Sequence, residues 1–343
     1  MQISRTILIG AFAGCALLIA ILEWTFAESG SLMYSMLFFV ALSQGPLAIV
    51  AAADISRSDW LRAYRRELLS VRHMILFVAL LFAIFAASGK VGLYDWAKHP
   101  NAWLNPQFFI IRNIALLLLA WLVANRFARE SLNDGPHKTM WAIFWVITFV
   151  ASQTIVAFDW VMSLDYPWIS TLFGAYFFVE AFYAGLALAA IMTYFNHHNF
   201  VEEFSEKTFQ KSQMDMMTMF FGFSIFWGYQ FFSQYIVIWY GNIPEEVAYI
   251  QYRLNEYSAL LYLVILMLFL VPFVLMLSRK IKANPRLVMP LGFWVWGGIL
   301  LERYFMIGPH LNLHPLIAPV ELILGAVVFL VTLLYTRRAA LAG

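Results

Sequence analysis

Glu180 stands in an apolar run of helical length, where a carboxylate could take up and release protons if its surroundings hold it. An ionisable group at mid-depth in a bilayer costs about 3 kcal/mol or more unless paired or wetted, so each one needs a reason. Tyr176, Glu180 and Tyr183 recur at i, i+4 and i+7 and share one helix face. Ala181, Gly185 and Ala189 make a small-xxx-small stripe that lets a neighbouring helix approach closely. Two readings fit Glu180: a proton-relay carboxylate, or a protonated acid hydrogen-bonded inside a helix bundle.

A second group gathers towards one end of the spans. Glu23, Arg112, Asp159, Glu302, Arg303 and Glu321 all fall in the outer part of their apolar runs. Arg303 comes shortly before the turn at Gly308, and Glu321 shortly after that turn ends near Leu316. Equal depth on adjacent helices predicts an ion pair between Arg303 and Glu321. Asp159 and Asp165 serve either as proton exits or as cap and turn residues, which Asp favours. Gln230, Ser233 and Gln234 form a polar face suited to joining helices. The histidines, among them His197 and His198, lie in loops or at helix ends, so the paired axial ligands of a transmembrane haem are missing. No Gly-rich phosphate or dinucleotide fingerprint appears. The expectation is a chain with no redox cofactor and no metal site of its own.

The elements that position these residues are membrane helices. Of 343 residues 62% are hydrophobic and 12% charged, and the mean hydropathy is +0.74. A soluble domain carries about 25% charged residues, so the solvent here is lipid. The net charge of +2 points to no nucleic-acid partner, and the single cysteine, Cys15, excludes a disulfide framework or a Cys-ligated cluster within the chain. Ten apolar runs near 6–26, 32–53, 72–89, 107–127, 139–160, 169–195, 214–240, 257–278, 287–307 and 316–336 each reach the spanning length of about 18 residues. The run after Arg5 has no small-x-small cleavage pattern through Ala27 and reads as a retained first helix. From residue 169, Glu180 lies about 16 Å deep at about 1.5 Å per residue, near the middle of a core about 30 Å thick.

Seventeen of the 22 Lys and Arg residues fall on the side of the N-terminus: Arg5, the 57–72 segment, Arg126 to Lys138, Lys207 and Lys211, the 279–286 segment, and Arg337 with Arg338. Lys90, Lys98, Arg112, Arg253 and Arg303 fall on the other. The positive-inside rule then places both termini in the cytoplasm and the Phe158–Phe178 crossing outside. Residues 58–70 read as an interfacial helix capped by Ser58, with Trp60, Leu61, Tyr64 and Leu68 on one face, and the polar 196–213 stretch reads as similar. Gly241, Asn242 and Pro244 make a turn with Glu245 and Glu246 just beyond it. Gln44-Gly45-Pro46, Pro272 and Pro319 are predicted to kink their helices.

Three segments carry a resemblance. FDWVMSLDYPWISTLFG, Phe158 to Gly174, and FWGYQFFSQYIVIWYGNIPEE, Phe226 to Glu246, resemble two signature segments of an NrfD-like membrane subunit of alternative complex III. LYDWAKHPNAWLNPQFFIIRNIALLLLAW, Leu93 to Trp121, is similar to a third. The first two helices match that pattern poorly. The resemblance implies an all-α polytopic fold of the NrfD-like, polysulfide-reductase type, with two four-helix bundles and peripheral helices. It implies a bacterial inner-membrane complex that oxidises quinol, in which partner subunits carry haem c and iron–sulfur clusters and pass electrons to a cytochrome or a terminal oxidase. The quinol site is expected in a neighbouring membrane subunit. Glu180, Tyr176, Tyr183, Asp159, Glu302, Glu321 and Asp165 are the proton-path candidates. Two other functions compete with a proton-conducting subunit: a pure assembly scaffold, and a stand-alone secondary transporter with kinked helices.

Overall fold

The computed structural model describes residues 4–26, 28–58, 60–61 and 63–339. Ala27, Asp59 and Arg62, which enter the readings above, lie outside the described residues. The chain is helical, with α1 (Arg5–Thr25), α2 (Ser31–Ser56), α3 (Arg65–Ala87), α4 (Pro106–Leu132), α5 (Lys138–Asp165) and α6 (Leu172–Phe195) in the first part. There follow α7 (His197–Phe204), α8 (Glu206–Gly241), α9 (Pro244–Glu256), α10 (Ser258–Met276), α11 (Arg279–Lys282), α12 (Pro285–Ile307) and α13 (Ile317–Ala339). Among the described residues eight helices are long and apolar enough to cross a membrane: α1 to α6, α10 and α13. The other two long helices are less apolar on average: α8 carries many polar side chains, and α12 dilutes its apolar residues with Gly, Pro and Trp beside Glu302-Arg303.

α6 is the central helix, packed against α2, α5, α8 and α12. α2, α3, α4 and α5 touch one another in a closed ring, and so do α6, α8, α10 and α12. α1 and α13 pack together at the edge, where α13 also meets α2 and α3. Close approach between membrane helices needs small residues, because lipid supplies no hydrophobic drive. Gly45 and Gly185 supply it here. A Cβ on Gly45 would overlap the Ala181 carbonyl, and one on Gly185 would lie 2.7 Å from the Pro46 nitrogen. The small stripe of α6 is therefore the α2 contact.

Several expectations change in detail. The 58–70 segment does not lie on the membrane surface as a helix. Ser58 starts no helix; it bonds back to the Ala53 carbonyl at the end of α2 and to the Ser56 hydroxyl, and the next helix begins only at Arg65. Leu61, Tyr64 and Leu68 are wholly buried, and Tyr64 shares a 2.7 Å hydrogen bond with Thr193 of α6. The apolar face finds protein before it finds lipid. The 196–213 stretch divides at Ser205, whose φ of 66° ends α7, and α8 then starts at Glu206, eight residues ahead of the apolar run. Asn242 takes the left-handed conformation that stops α8, and Pro244 opens α9, a helix where the sequence reads as a turn. Pro319 falls in the first turn of α13, where its missing N–H breaks no bond, so it does not kink that helix. Pro46 sits inside α2, and Pro272 follows a π-helical turn at Leu266–Leu270.

Candidate functional site

With α2 clamped on one side and Gly292 of α12 close to the Ala187 carbonyl on another, α6 has no freedom to rotate. Its Tyr176–Glu180–Tyr183 face is thereby held towards α8, α10 and α12. Tyr183 donates to the Leu268 carbonyl at 3.1 Å. That is the carbonyl Pro272 leaves without an i+4 donor, so the proline and the tyrosine answer each other across two helices. Glu180 lies about 12 Å from the start of α6, counting eight residues at about 1.5 Å each, shallower than its position along the apolar run implies.

Glu180 Oε2 sits 2.8 Å from Arg303 Nη2, and both side chains are completely buried. The guanidinium lies over the Phe177 ring, 4.2 Å from its centre, and reaches Met306 Sδ at 3.6 Å. One residue earlier, Glu302 turns to the other side of α12. Its Oε1 accepts from the Tyr176 hydroxyl and, at 3.2 Å, from Trp227 Nε1. Glu302 Oε2, both Glu180 oxygens and Arg303 Nε and Nη2 make no hydrogen bond of good geometry. The Glu180–Arg303 contact is thus a charge pair with unused donors and acceptors on both sides. Tyr176 joins the two acids, one turn before Glu180 on α6 and bonded to Glu302 on α12. Two carboxylates, an arginine and a phenol within one buried helix junction are groups that can hold and hand on a proton.

The Arg303–Glu321 pair expected from depth does not form. α12 packs on α6, and α13 packs on α1, α2 and α3 instead. Glu321 therefore faces Glu23 of α1, beside Lys90. Lys90 is 3.6 Å from Glu23 and donates to the carbonyls of Phe26 and Ser29 at 2.7 and 2.6 Å. Glu23, Lys90 and Glu321 make a second buried charge cluster, separate from Glu180. In the sequence Lys90 informs orientation alone; nothing in its surroundings, Gly89 and Val91, marks it as turned inward.

Asp159 and Asp165 are placed by the end of α5, which loosens into a π turn over Ala157–Val161 and a 3-10 turn over Met162–Asp165. Asp159 is wholly buried and receives both Arg112 Nε and Nη2, at 2.6 and 2.8 Å, and Asn113 Nδ2 at 2.6 Å. Arg112 also donates to the Trp103 carbonyl at 2.6 Å, and Trp160 Nε1 donates to Asn113 at 2.8 Å. Asp165 holds Arg253 of α9 and His310, each at 2.8 Å. Both aspartates are saturated anchors between helices. Gln234 accepts from Ser170 at 2.9 Å, in keeping with its helix-joining reading. Gln44, read only for its place before Gly45-Pro46, links α2 to α5 through Ser152 at 3.0 Å and Gln153 at 3.1 Å. Consecutive polar residues in an apolar run, Arg112-Asn113 and Ser152-Gln153, were the available signal.

No family model matches the chain, and no curated protein matches it. The residues and their geometry carry the functional reading.

Proposed function

We propose that this protein is an integral subunit of a quinol-oxidising respiratory complex of the alternative complex III kind, bringing no redox cofactor itself and offering a proton path beside its scaffolding role. The three resembling segments support the family. The contact pattern supports the architecture: two rings of four helices, α2 to α5 and α6 with α8, α10 and α12, with α1 and α13 outside them. Counting α8 and α12 as spans makes ten, which agrees with the Lys and Arg sorting, with both termini on the cytoplasmic side of a bacterial inner membrane. Partner subunits would carry haem c and iron–sulfur clusters, and a terminal oxidase would accept their electrons.

The observation that carries the proton path is the buried junction of Glu180, Arg303, Tyr176 and Glu302. The arginine holds Glu180 in place without saturating it, so a proton can be added without tearing out a full set of hydrogen bonds. The saturated Asp159 and Asp165 belong to the scaffold. They favour an assembly role for that end of the molecule over proton exit. Purifying the chain from its native membrane tests the assignment, and co-purifying haem and iron–sulfur subunits are expected. The full complex carrying Glu180→Gln is expected to assemble but to turn over quinol or release protons more slowly. Wild-type turnover and proton release in that variant would remove the relay.

A further inference from the structure

A strongly positive patch forms where α8 begins and α10 gives way to α12. Lys207 and Lys211 stand in the first turns of α8, α11 carries Arg279, Lys280 and Lys282, and Arg286 opens α12. Among the described residues none of these cations makes an ion pair. All but Lys282 are exposed, so water serves them.

Lys282 is the exception, at 9% exposure. Gln213 Nε2 of α8 donates to its backbone carbonyl at 2.8 Å, which seats α11 on α8. From there the side chain runs along α8, and Nζ ends 3.4 Å from Thr218 Oγ1 and 5.0 Å from the centre of the Phe221 ring. The step from Gln213 to Thr218 is about 7 Å at about 1.5 Å per residue, directed from the polar start of α8 into its apolar part. A lysine at a membrane edge ordinarily snorkels the other way, towards water. An ammonium has several donors, and this one has a single long hydrogen bond, to a hydroxyl whose own proton goes to the Met214 carbonyl. Asp215, the acid of that part of α8, forms no ion pair with it. Burial first, and Arg279 second, push the Lys282 ammonium below its ordinary range. A buried cation beside further cations calls for an anion.

The surroundings select the anion. Phe221 stacks on Phe273 of α10 with ring centres 5.5 Å apart, and Val274 and Leu277 on the same helix end are exposed. A Cβ on Gly222 would meet nothing within 4 Å, so the α8 side is open as well. An apolar surface thus starts where the ammonium ends. Free phosphate would use the charge and leave that surface bare. A zwitterionic headgroup would bring its own cation to a patch that already has a surplus. A phosphate on acyl chains, with no positive group of its own, suits both halves.

We propose that Lys282 binds the phosphate of an anionic phospholipid, with Arg279 adding charge and the acyl chains lying along Phe221, Val274 and Leu277. The site rests on the buried ammonium and its apolar flank, and stands apart from the assignment to a respiratory complex.

The test uses the purified full chain in a neutral detergent, with native mass spectrometry reading bound phosphatidylglycerol, phosphatidylcholine or inorganic phosphate. Phosphatidylglycerol is expected to bind at least tenfold more tightly than phosphatidylcholine, and millimolar inorganic phosphate is expected not to displace it. Lys282→Met keeps the stem and removes the charge, and is expected to weaken phosphatidylglycerol about tenfold. Arg279→Gln is expected to weaken it about fivefold, and Lys98→Met, far along the chain and paired with Asp95, less than twofold. Without anionic lipid Lys282→Met is expected to melt no lower than the unaltered chain, because the ammonium it removes has no counter-charge; a purely structural lysine would melt lower. No preference for phosphatidylglycerol, displacement by inorganic phosphate, or unchanged binding in folded Lys282→Met would overturn the site. Should Lys282→Met not fold, the exposed Arg279→Gln decides, and binding there equal to the unaltered chain overturns the site too.

Discussion

The Arg112–Asp159 and Arg303–Glu180 pairs use the same two functional groups at the same end of the molecule, yet their neighbours treat them differently. Asp159 receives three nitrogen donors, and the arginine that holds it bonds a carbonyl as well. Glu180 receives one charge contact, and Arg303 keeps an unused Nε. Arg112 comes from a helix whose next residue, Asn113, adds a donor in the same direction. Arg303 follows Glu302, which points away to Tyr176 and Trp227. A fully bonded pair fixes helices, whereas a partly bonded one in a buried site can change protonation state with fewer bonds to break.

Asp159→Asn is the sharpest way to break that contrast. It leaves Arg112 facing a neutral amide, and a loss of about 3–5 kcal/mol is expected when one member of a buried pair is removed. Thermal unfolding of the purified chain measures it. Glu180→Gln leaves Arg303 wholly buried without its counter-charge and is expected to cost about 3 kcal/mol, the low end of the same range, since fewer hydrogen bonds are lost. Adding Arg303→Met should restore most of that, because removing both members of a buried pair is often close to neutral. A double variant no more stable than the single one would show that the pair does not act as a unit. Trp227→Phe, which takes one donor from Glu302, is expected to cost about 1 kcal/mol, read in the same unfolding experiment.

The smallest effect lies outside the membrane. Lys138 donates to Asp134 at 2.8 Å, and Arg65 is 3.2 Å away. The hydrogen bond from Lys138 comes first in holding the Asp134 carboxyl below its usual range. A lowered folded-state pKa means that this contribution is present above the ordinary aspartate value of about 3.9 and fades as pH falls through the lowered one. Asp134→Asn should therefore lower stability slightly near neutrality and flatten its pH dependence below about pH 4, where the wild-type contribution is itself fading.

Much of this could be read along the chain. The face shared by Tyr176, Glu180 and Tyr183 follows from helical period alone; Tyr176 and Glu180 enter the acid junction, and Tyr183 turns to the Leu268 carbonyl of α10. The stripe of Ala181, Gly185 and Ala189 announced a close neighbour, and α2 is that neighbour. Depth was legible too, since Glu23 and Glu321 do lie level with each other. What depth could not say was which helix stands beside which. Arg303 and Glu321 are near in sequence and flank one turn at similar distances, but α12 and α13 pack on different helices. α9 escaped notice because its charged residues obscure any apolar run, and Pro244 reads as a turn until Asn242 is seen to end the helix before it.

Residue order by itself determined that helices long and apolar enough to cross a membrane recur along the chain, where most of the long ones fall and which acids lie buried along them, because hydropathy and the helical rise of about 1.5 Å per residue act locally. Tertiary structure alone decided the partners. Gly45 against Gly185 sets how α6 is turned, and that rotation delivers Glu180 to Arg303 and Tyr176 to Glu302, while the packing of α13 on α1 brings Glu321 to Glu23 and Lys90. Azimuth around a helix and the choice of neighbour are properties of packing between distant segments, and no stretch of sequence contains them.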